Sequence, residues 1–306
     1  MTKNPEKKRP QKGATLLEVF DNDLMTLQQR IGIDRTLNTY VRQLQIRNVV
    51  ADFIHKTMQV DDVPLATLAP CFIRDFASWL SISRHYRPGT IWLTCQQLKS
   101  TVSRAFQRGL ISSNPFYEYH AKKMIRPRQY LNWQELQQVA SLPLASPLMA
   151  RHRDIFVFSA LTGIAFADIC SLKASDIHTI NEQVWISALR QKTHTPYVVR
   201  LLPTALRILN TYREGSDPIF GSLCYRTVAK HIPLIVKACG IQKHISFHCA
   251  RHSFAIASLC AGMPIESISR ILGHSNIATT QIYARITTEK LSADMDKLQS
   301  FCTLQI

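Results

Sequence analysis

Four residues in the last third of the chain carry side chains suited to the chemistry of phosphate esters. His248 and Arg251 lie three residues apart in FHCARHSF, His274 follows Gly273 in RILGHSN, and Tyr283 lies in TTQIYARI. On a helix this spacing places His248 and Arg251 on one face. From there, imidazole and guanidinium groups can donate hydrogen bonds to phosphate oxygens. Tyr283 offers a phenolic oxygen that becomes a nucleophile when neighbouring cations or a base assist its ionisation.

Transfer of a phosphodiester without a metal also needs an acid for the leaving oxygen. Lys192 lies in ALRQKTHTP, in the turn of a predicted hairpin, from which its ammonium group can reach a DNA groove. Taken alone, each of these residues is more often structural: a buried or capping histidine, a half-buried tyrosine, an exposed lysine. The prediction therefore depends on their order and spacing together.

That order and spacing resemble one family. The frames H-x-x-R-H-S-F-A, L-G-H-S and T-T-x-x-Y are similar to the catalytic C-terminus of tyrosine recombinases and phage-type integrases. Upstream, LTGIAFADICSL resembles the family segment T-G-x-R-x-x-E/D-I/L-x-x-L, and the Lys192 hairpin lies between the two, as in that family. The resemblance covers about residues 14 to 300. It implies a helical, SAM-like core-binding domain followed by a tyrosine-recombinase catalytic domain.

The resemblance also implies a role for each matched residue. Tyr283 attacks the scissile phosphate and forms a 3′-phosphotyrosyl link, and Lys192 is the general acid for the 5′-hydroxyl. Three residues stabilise the transferring phosphoryl group: Arg251, His248 and His274. The freed 5′ end of a partner strand then attacks the link. Neither a metal nor a nucleotide cofactor is implied, and four protomers on two DNA duplexes form the working complex.

One position departs from the family pattern. The first catalytic arginine of the family should stand at position 165, where this chain has Ala165, three residues before the matching acidic residue, Asp168. In the family that acidic residue orients its neighbours. Losing one donor to the phosphate typically costs about 10²–10³ in rate. The enzyme is therefore inactive, slow, or supplied with a different arginine.

We favour a substitute arginine. Arg190 lies two residues before Lys192, and the alternation of a strand would place both on one side if the strand extends that far. Arg153, twelve residues before Ala165, is the second candidate. The TGIAF segment also resembles recombinases of Bacteroidetes mobile elements, which lack the arginine at the same place.

Hydrophobic periodicity predicts two domains, of mainly α structure with a small β-sheet (α+β). Residues 14–120 show a helical pattern, and residues 131–306 form the mixed catalytic domain, with strands at Val184–Leu189 and Tyr197–Leu202. Residues 121–130 are expected to be a basic linker that binds DNA through four side chains: Lys122, Lys123, Arg126 and Arg128.

Local signals refine this division. Thr36 is predicted to cap a helix whose apolar side chains are Leu37, Tyr40, Val41 and Leu44, and Asn132 with Glu135 forms a predicted capping box. Residues 1–13 are expected to be a flexible basic arm, and Gln299–Ile306 a docking tail for a neighbouring protomer.

Composition limits the partners. Lys plus Arg number 37 and Asp plus Glu 21, a net charge of +16 that favours double-stranded DNA as partner. A hydrophobic content of 46% indicates a globular chain. The 8 cysteines form no C-x-x-C pair, which predicts reduced thiols and no metal site. We find no secretory signal and no apolar run of membrane-spanning length, so we expect a cytoplasmic protein with no membrane contact.

The predicted function is a site-specific DNA recombinase that integrates, excises or inverts a mobile element. Two alternatives stay open: a DNA-binding regulator with impaired catalysis, and an enzyme similar to type IB topoisomerases. The stretch AGMPIESISRILGHSNIATTQIYARI superficially resembles a helix-turn-helix and supports the regulator. A metal-dependent nuclease is disfavoured because Asp168, Asp176 and Asp217 are too scattered.

Overall fold

The computed structural model describes residues 13–121, 128–213 and 217–283, together with residues 292, 295 and 296. The chain divides into two compact units, Met1–Arg126 and Pro127–Ile306, and this division falls within the basic segment 121–130. The described structure is mainly helical with one small sheet, which confirms the predicted fold class. Some of the predicted DNA contacts and docking segments lie outside the described residues: the arm at 1–12, Lys122, Lys123, Arg126 and the tail Gln299–Ile306.

The described part of the first unit contains four α-helices: α1 (Leu16–Gln29), α2 (Leu37–Met58), α3 (Pro70–Ile82) and α4 (Pro88–Gln107). Proline opens α3 and α4, where its missing N–H removes no helical hydrogen bond. The core is rich in aromatic rings. The ring centroid of Phe53 lies 5.3 Å from that of Phe72 and 5.2 Å from that of Phe76. This aromatic cluster joins α2 to α3.

The N-terminal part of α2 has the predicted cap and is partly exposed. Thr36 caps the helix as expected, with its hydroxyl accepting from the Thr39 N–H, but Leu37 is 59% exposed and Val41 is 41% exposed. The buried face begins only at Ile46. With 22 residues, α2 is longer than its 14-residue neighbour α1, so its first turns extend past the core.

The second unit has eight described α-helices, and α6 (Pro147–Thr162) is the central one. The helices are α5 (Trp133–Ser141), α6 (Pro147–Thr162), α7 (Phe166–Cys170), α8 (Pro203–Tyr212), α9 (Tyr225–Ala238), α10 (His248–Cys260), α11 (Ile265–Ile271) and α12 (Ala278–Gln281). All residues from 155 to 162 of α6 are buried, as expected for a helix covered on every side. Helices α5, α8, α9 and α10 pack against it. Gly163 ends α6 with a φ of 72°, a left-handed conformation that favours glycine.

A three-stranded antiparallel sheet lies in the same unit. Its strands are β1 (Ile177–Ile180), β2 (Gln183–Leu189) and β3 (Pro196–Arg200), in the order β1-β2-β3. Leu189 pairs with Pro196 at the turn end of the β2–β3 hairpin, and Lys192 lies in the turn that follows. The sequence predicted β2 and β3 but missed β1, which is short and mostly exposed on its outer edge.

Within the described residues, no helix is long and apolar enough to cross a membrane. The same residues contain no group of three or more histidine, cysteine, aspartate or glutamate side chains arranged to hold a metal ion.

Candidate active site

Helix α10 presents the first part of the candidate site. It begins at His248 and carries Arg251 and His252 in its first two turns. Residues three and four apart share a helix face, so these side chains reach a common region. Arg251 is only 3% exposed, which is unusual for an arginine and requires buried partners.

Backbone carbonyls supply those partners. Arg251 donates from Nη1 to the carbonyl oxygen of Gly163 at 2.6 Å, and from Nη2 to the carbonyl oxygen of Leu272. Desolvation, followed by the nearby charge of Arg190, lowers the pKa of Arg251 to about 9. The guanidinium is still a cation at neutral pH. It has more N–H groups than these two contacts use, so donors remain for an anion.

Arg190 joins the same cluster from the β2–β3 hairpin, where it directly follows strand β2. Its Nη1 donates to the Leu272 carbonyl oxygen at 2.6 Å. Its Nε lies 2.7 Å from Oδ2 of Asp168, an ion-pair contact whose N–H is not aligned for a hydrogen bond. Asp168 is buried in α7 and also accepts from the Gln191 backbone N–H at 2.8 Å. One carboxylate therefore fixes both the Arg190 side chain and the backbone of the hairpin turn.

Gly273 makes room for Arg190. A Cβ at position 273 would lie 2.9 Å from Cγ and 3.2 Å from Cδ of Arg190, closer than normal contacts, and φ is 58° there. Gly273 follows helix α11, which stops at Ile271. The same glycine thus turns the chain toward His274 and leaves space for the arginine.

Histidines surround the two arginines. His274 follows this turn, and its Nδ1 lies 2.8 Å from the buried Thr280 hydroxyl. The His248 ring packs edge-on against that of His252, with centroids 4.5 Å apart. Desolvation lowers the pKa of His274 to about 4, aided by the charges of Arg251 and Arg190. The pKa of His248 is also lowered, first by desolvation and then by Arg251. These imidazoles are therefore neutral donors and acceptors near pH 7.

Tyr283 lies in a turn two residues after α12 rather than within a helix. Its hydroxyl is 2.7 Å from Nδ1 of His252, and only 8% of the residue is exposed. Burial raises the pKa of Tyr283, while the charges of Arg251 and Arg128 oppose that rise. The phenol is therefore held in its neutral form in the absence of DNA.

His252 is a site residue that the sequence reasoning missed. It follows Arg251 directly and lies four residues after His248, so the spacing alone could have indicated it. In the frame H-x-x-R-H the family resemblance implies a role for the first histidine and the arginine only.

The other predicted site residues make none of the contacts described above. Strand β2 ends at Leu189, so strand alternation does not reach Lys192, and the argument that alternation places it beside Arg190 is wrong. Lys192 is exposed at the hairpin tip. Arg153 is occupied elsewhere: its Nη1 donates to the Leu142 carbonyl at 2.6 Å, and its guanidinium pairs with Asp154. Arg128 is exposed in the linker, and its positive charge acts to lower the pKa values of His248, His252 and Tyr283.

In chemical terms the site is a cluster of cations beside a phenol. Two guanidiniums, one carboxylate, neutral imidazoles and one tyrosine hydroxyl lie together in one unit. Such a cluster is suited to an anionic group with several oxygens, and a phosphodiester fits this description. The fold and the site together define a class of enzyme that cleaves and rejoins phosphodiesters through a tyrosine nucleophile.

Comparisons with known proteins place the chain in a family. The sequence profile of the phage integrase family matches residues 129–290, and that of the phage integrase SAM-like domain matches residues 15–124. The chain therefore belongs to the phage integrase family and is a site-specific tyrosine recombinase that acts on DNA.

Individual relatives are more distant. The tyrosine recombinase XerC of Bacillus licheniformis is 27% identical over 218 residues, covering 66% of this chain and 72% of that protein. XerC of Neisseria meningitidis serogroup B is 24% identical over 284 residues, covering 87% of this chain and 94% of that protein.

Two solved structures share the fold. The integrase of the transposon Tn1549, in complex with a circular intermediate DNA, superimposes with a TM-score of 0.72 at 18% identity, covering 94% of this chain and 100% of that chain. A lambda integrase dimer bound to a COC′ core site gives a TM-score of 0.70 at 17% identity, covering 88% and 95%.

Proposed function

We propose that this recombinase cleaves and rejoins the DNA of a mobile element through a 3′-phosphotyrosyl intermediate on Tyr283. The observation that carries the proposal is the meeting of Arg190 and Arg251 at one carbonyl oxygen, beside the tyrosine and its histidines. A scissile phosphate would bring the negative charge that this cluster lacks. The solved relatives, described as bound to transposon or core-site DNA, support the same kind of substrate.

The proposed reaction has two steps, cleavage and strand transfer. The Tyr283 hydroxyl releases its proton to solvent as its oxygen bonds to phosphorus. The bond from phosphorus to the 5′ oxygen breaks, and the 5′ oxygen takes a proton from the Lys192 ammonium group. In the second step the 5′-hydroxyl of a partner strand attacks the phosphotyrosine and returns its proton to the neutral Lys192 amine. The bond from phosphorus to the Tyr283 oxygen breaks, and Tyr283 regains its proton from solvent. Arg190, Arg251 and their imidazole neighbours stabilise the charge on the phosphoryl oxygens in both steps.

Arg190 is the proposed replacement for the arginine missing at Ala165. Its guanidinium shares an acceptor with that of Arg251, and Asp168 holds it there by an ion pair. Two arginines with a common acceptor can offer several N–H groups to one phosphate. The role of Asp168 is then to position Arg190 and, through the Gln191 backbone, the turn that carries Lys192.

Arg153 is a weaker candidate for the same role. Its guanidinium is already engaged by the Leu142 carbonyl and by Asp154. Freeing it would leave the Asp154 carboxylate without this partner and would cost a conformational change. Arg190 needs no such change, so we assign the role to Arg190.

The proposed working complex is a tetramer on two duplexes, in which basic residues of the linker bind phosphates. The charge of Arg128 in this linker acts to lower the pKa of Tyr283. Beside it, Lys122, Lys123 and Arg126 are proposed to contact the duplex. Since the segment with Ala165 resembles recombinases of Bacteroidetes mobile elements, we propose that this chain serves an element of that kind.

Covalent trapping tests the proposed function. Nicked duplexes carrying the ends of the protein's own element are incubated with the wild type and with Tyr283→Phe, and the products are separated on a denaturing gel. We expect a DNA-linked protein band from the wild type that is absent from Tyr283→Phe. Specific DNA binding without any covalent band would favour the alternative, a DNA-binding regulator with impaired catalysis.

A further inference from the structure

The hydroxyl of Tyr283 has a buried hydrogen-bonding partner that the proposed reaction does not use. Nδ1 of His252 lies 2.7 Å from the phenolic oxygen, and the two ring centroids are 5.4 Å apart. His252 is 4% exposed, so both groups meet away from water. A buried hydroxyl without a partner is costly, and this contact satisfies it.

The surroundings of His252 keep its imidazole neutral. Desolvation lowers the pKa of His252 to about 3, and His248, Arg128 and Arg251 add to this effect. The imidazole is therefore neutral at pH 7, with one N–H and one nitrogen that accepts. A phenol is a stronger hydrogen-bond donor than acceptor, so we assign Nδ1 as the acceptor and Nε2 as the nitrogen that carries the hydrogen.

This geometry separates two possible roles. A proton acceptor works best when its pKa is near the working pH, and a histidine crowded by positive charges is a poor base. A neutral acceptor, in contrast, can still fix the direction in which the phenolic oxygen points. Small misplacements of a nucleophile are expensive, because the rate depends on alignment with the reacting phosphorus.

We propose that His252 is a positioning residue, which holds the hydroxyl of Tyr283 through an accepting Nδ1 and so orients the nucleophile before the scissile phosphate arrives. Helix α10 then supplies three parts of the site: His248 and Arg251 for the phosphate, and His252 for the tyrosine. This inference rests on the proposed role of Tyr283 as the nucleophile.

Two substitutions separate positioning from packing and from proton transfer. In His252→Asn the side-chain oxygen can occupy the place of Nδ1 and accept the same hydrogen bond, but it cannot take up a proton. In His252→Leu the volume is retained and the acceptor is lost. A purely structural role favours Leu over Asn in a buried position, whereas positioning favours Asn over Leu.

The rate of covalent complex formation on nicked duplexes is measured for the three proteins, with DNA affinity as control. We expect His252→Leu to be slower than the wild type by about 10- to 100-fold. We expect His252→Asn to stay within about threefold of the wild type, and the affinity of all three to be similar. An Asn variant as slow as the Leu variant, or a Leu variant as fast as the wild type, would overturn the inference.

A second measurement does not depend on activity. In ¹⁵N spectra of the DNA-free protein with labelled histidine, we expect His252 to be the neutral form with its hydrogen on Nε2. Tyr283→Phe should shift the Nδ1 resonance of His252. An unshifted Nδ1 resonance would overturn the inference. A wild type that forms no covalent complex would instead contradict the proposed function, and the spectra would still decide whether His252 holds the hydroxyl.

Discussion

The side chains of Arg190 and Arg251 donate to the same atom, the carbonyl oxygen of Leu272. The two residues are 61 positions apart in the chain, and one comes from the end of a strand and the other from a helix. Two guanidiniums repel each other, and the Asp168 carboxylate offsets part of that repulsion. A phosphate bound between them would offset more. On the proposed assignment, this pair would let a chain with Ala165 surround a scissile phosphate with two arginines.

The absence of a side chain at Gly273 should be essential for the arrangement of Arg190 and Arg251. Gly273→Ala places a Cβ 2.9 Å from Cγ of Arg190, so we expect the arginine to be displaced and covalent complex formation to fall at least about tenfold. The left-handed backbone adds a loss of about 1–2 kcal/mol in unfolding free energy, measured with urea.

Gly240→Ala is the matched control. Gly240 has a φ of 77° in the same unit, but nothing lies within 4 Å of a Cβ built there. We expect the same kind of loss in stability and a wild-type rate of cleavage. Equal cleavage rates for the two variants would show that the contact with Arg190 has no influence on the reaction.

The buried histidines should make the protein less stable in acid. The pKa of His274 is lowered from 6.5 to about 4, and that of His252 from 6.5 to about 3. As the pH falls below 6.5, the unfolded chain binds protons that the folded protein does not, so stability decreases until the pH reaches the folded pKa. The window therefore runs from about 6.5 down to about 4 for His274 and about 3 for His252.

Urea unfolding at about pH 7 and about pH 5 measures this effect. Replacing His252 by Asn removes one such group, so the loss of stability between the two pH values should shrink by about 2 kcal/mol. His244→Asn, at an exposed histidine of the same unit, is the control and should retain the wild-type loss. An unchanged loss in His252→Asn would contradict the burial of a neutral imidazole.

Binding to DNA should depend steeply on salt. The net charge is +16, and each phosphate contact contributes about 0.9 to the slope of log affinity against log salt. We expect the double substitution Lys122→Ala with Lys123→Ala to reduce that slope by about 2. Fluorescence anisotropy over a range of salt concentrations measures it.

The double substitution Lys230→Ala with Lys237→Ala removes the same charge from the exposed side chains of α9. Its slope should stay closer to that of the wild type. If both double variants lowered the slope equally, general charge rather than linker contacts would determine the binding.

Much of the fold could be predicted from local signals. The capping box at Asn132 and Glu135, the end of α6 before Gly163 and the two strands of the hairpin follow from the preferences of single residues. The exposed start of α2 could not be predicted, because periodicity defines a face but not how far the neighbouring helix covers it.

The site could be predicted only in part. The spacing of His248, Arg251 and Tyr283 identified the chemistry, but the contact of Arg190 with the Leu272 carbonyl joins segments that are distant in sequence. The strand alternation used to choose Arg190 fails because β2 ends at Leu189. The arginine is instead held by Asp168 and by the space at Gly273, two features of tertiary packing.

The rate of covalent complex formation by Arg190→Ala, beside Arg153→Ala, tests most directly whether Arg190 replaces the missing arginine. Arg153 differs in that its guanidinium is engaged by Leu142 and Asp154. We expect Arg190→Ala to cleave about 10²- to 10³-fold more slowly with nearly unchanged DNA affinity, and Arg153→Ala to cleave like the wild type. Adding Ala165→Arg to Arg190→Ala should restore part of the rate. Full activity of Arg190→Ala, or an equal loss in Arg153→Ala, would contradict the assignment of Arg190.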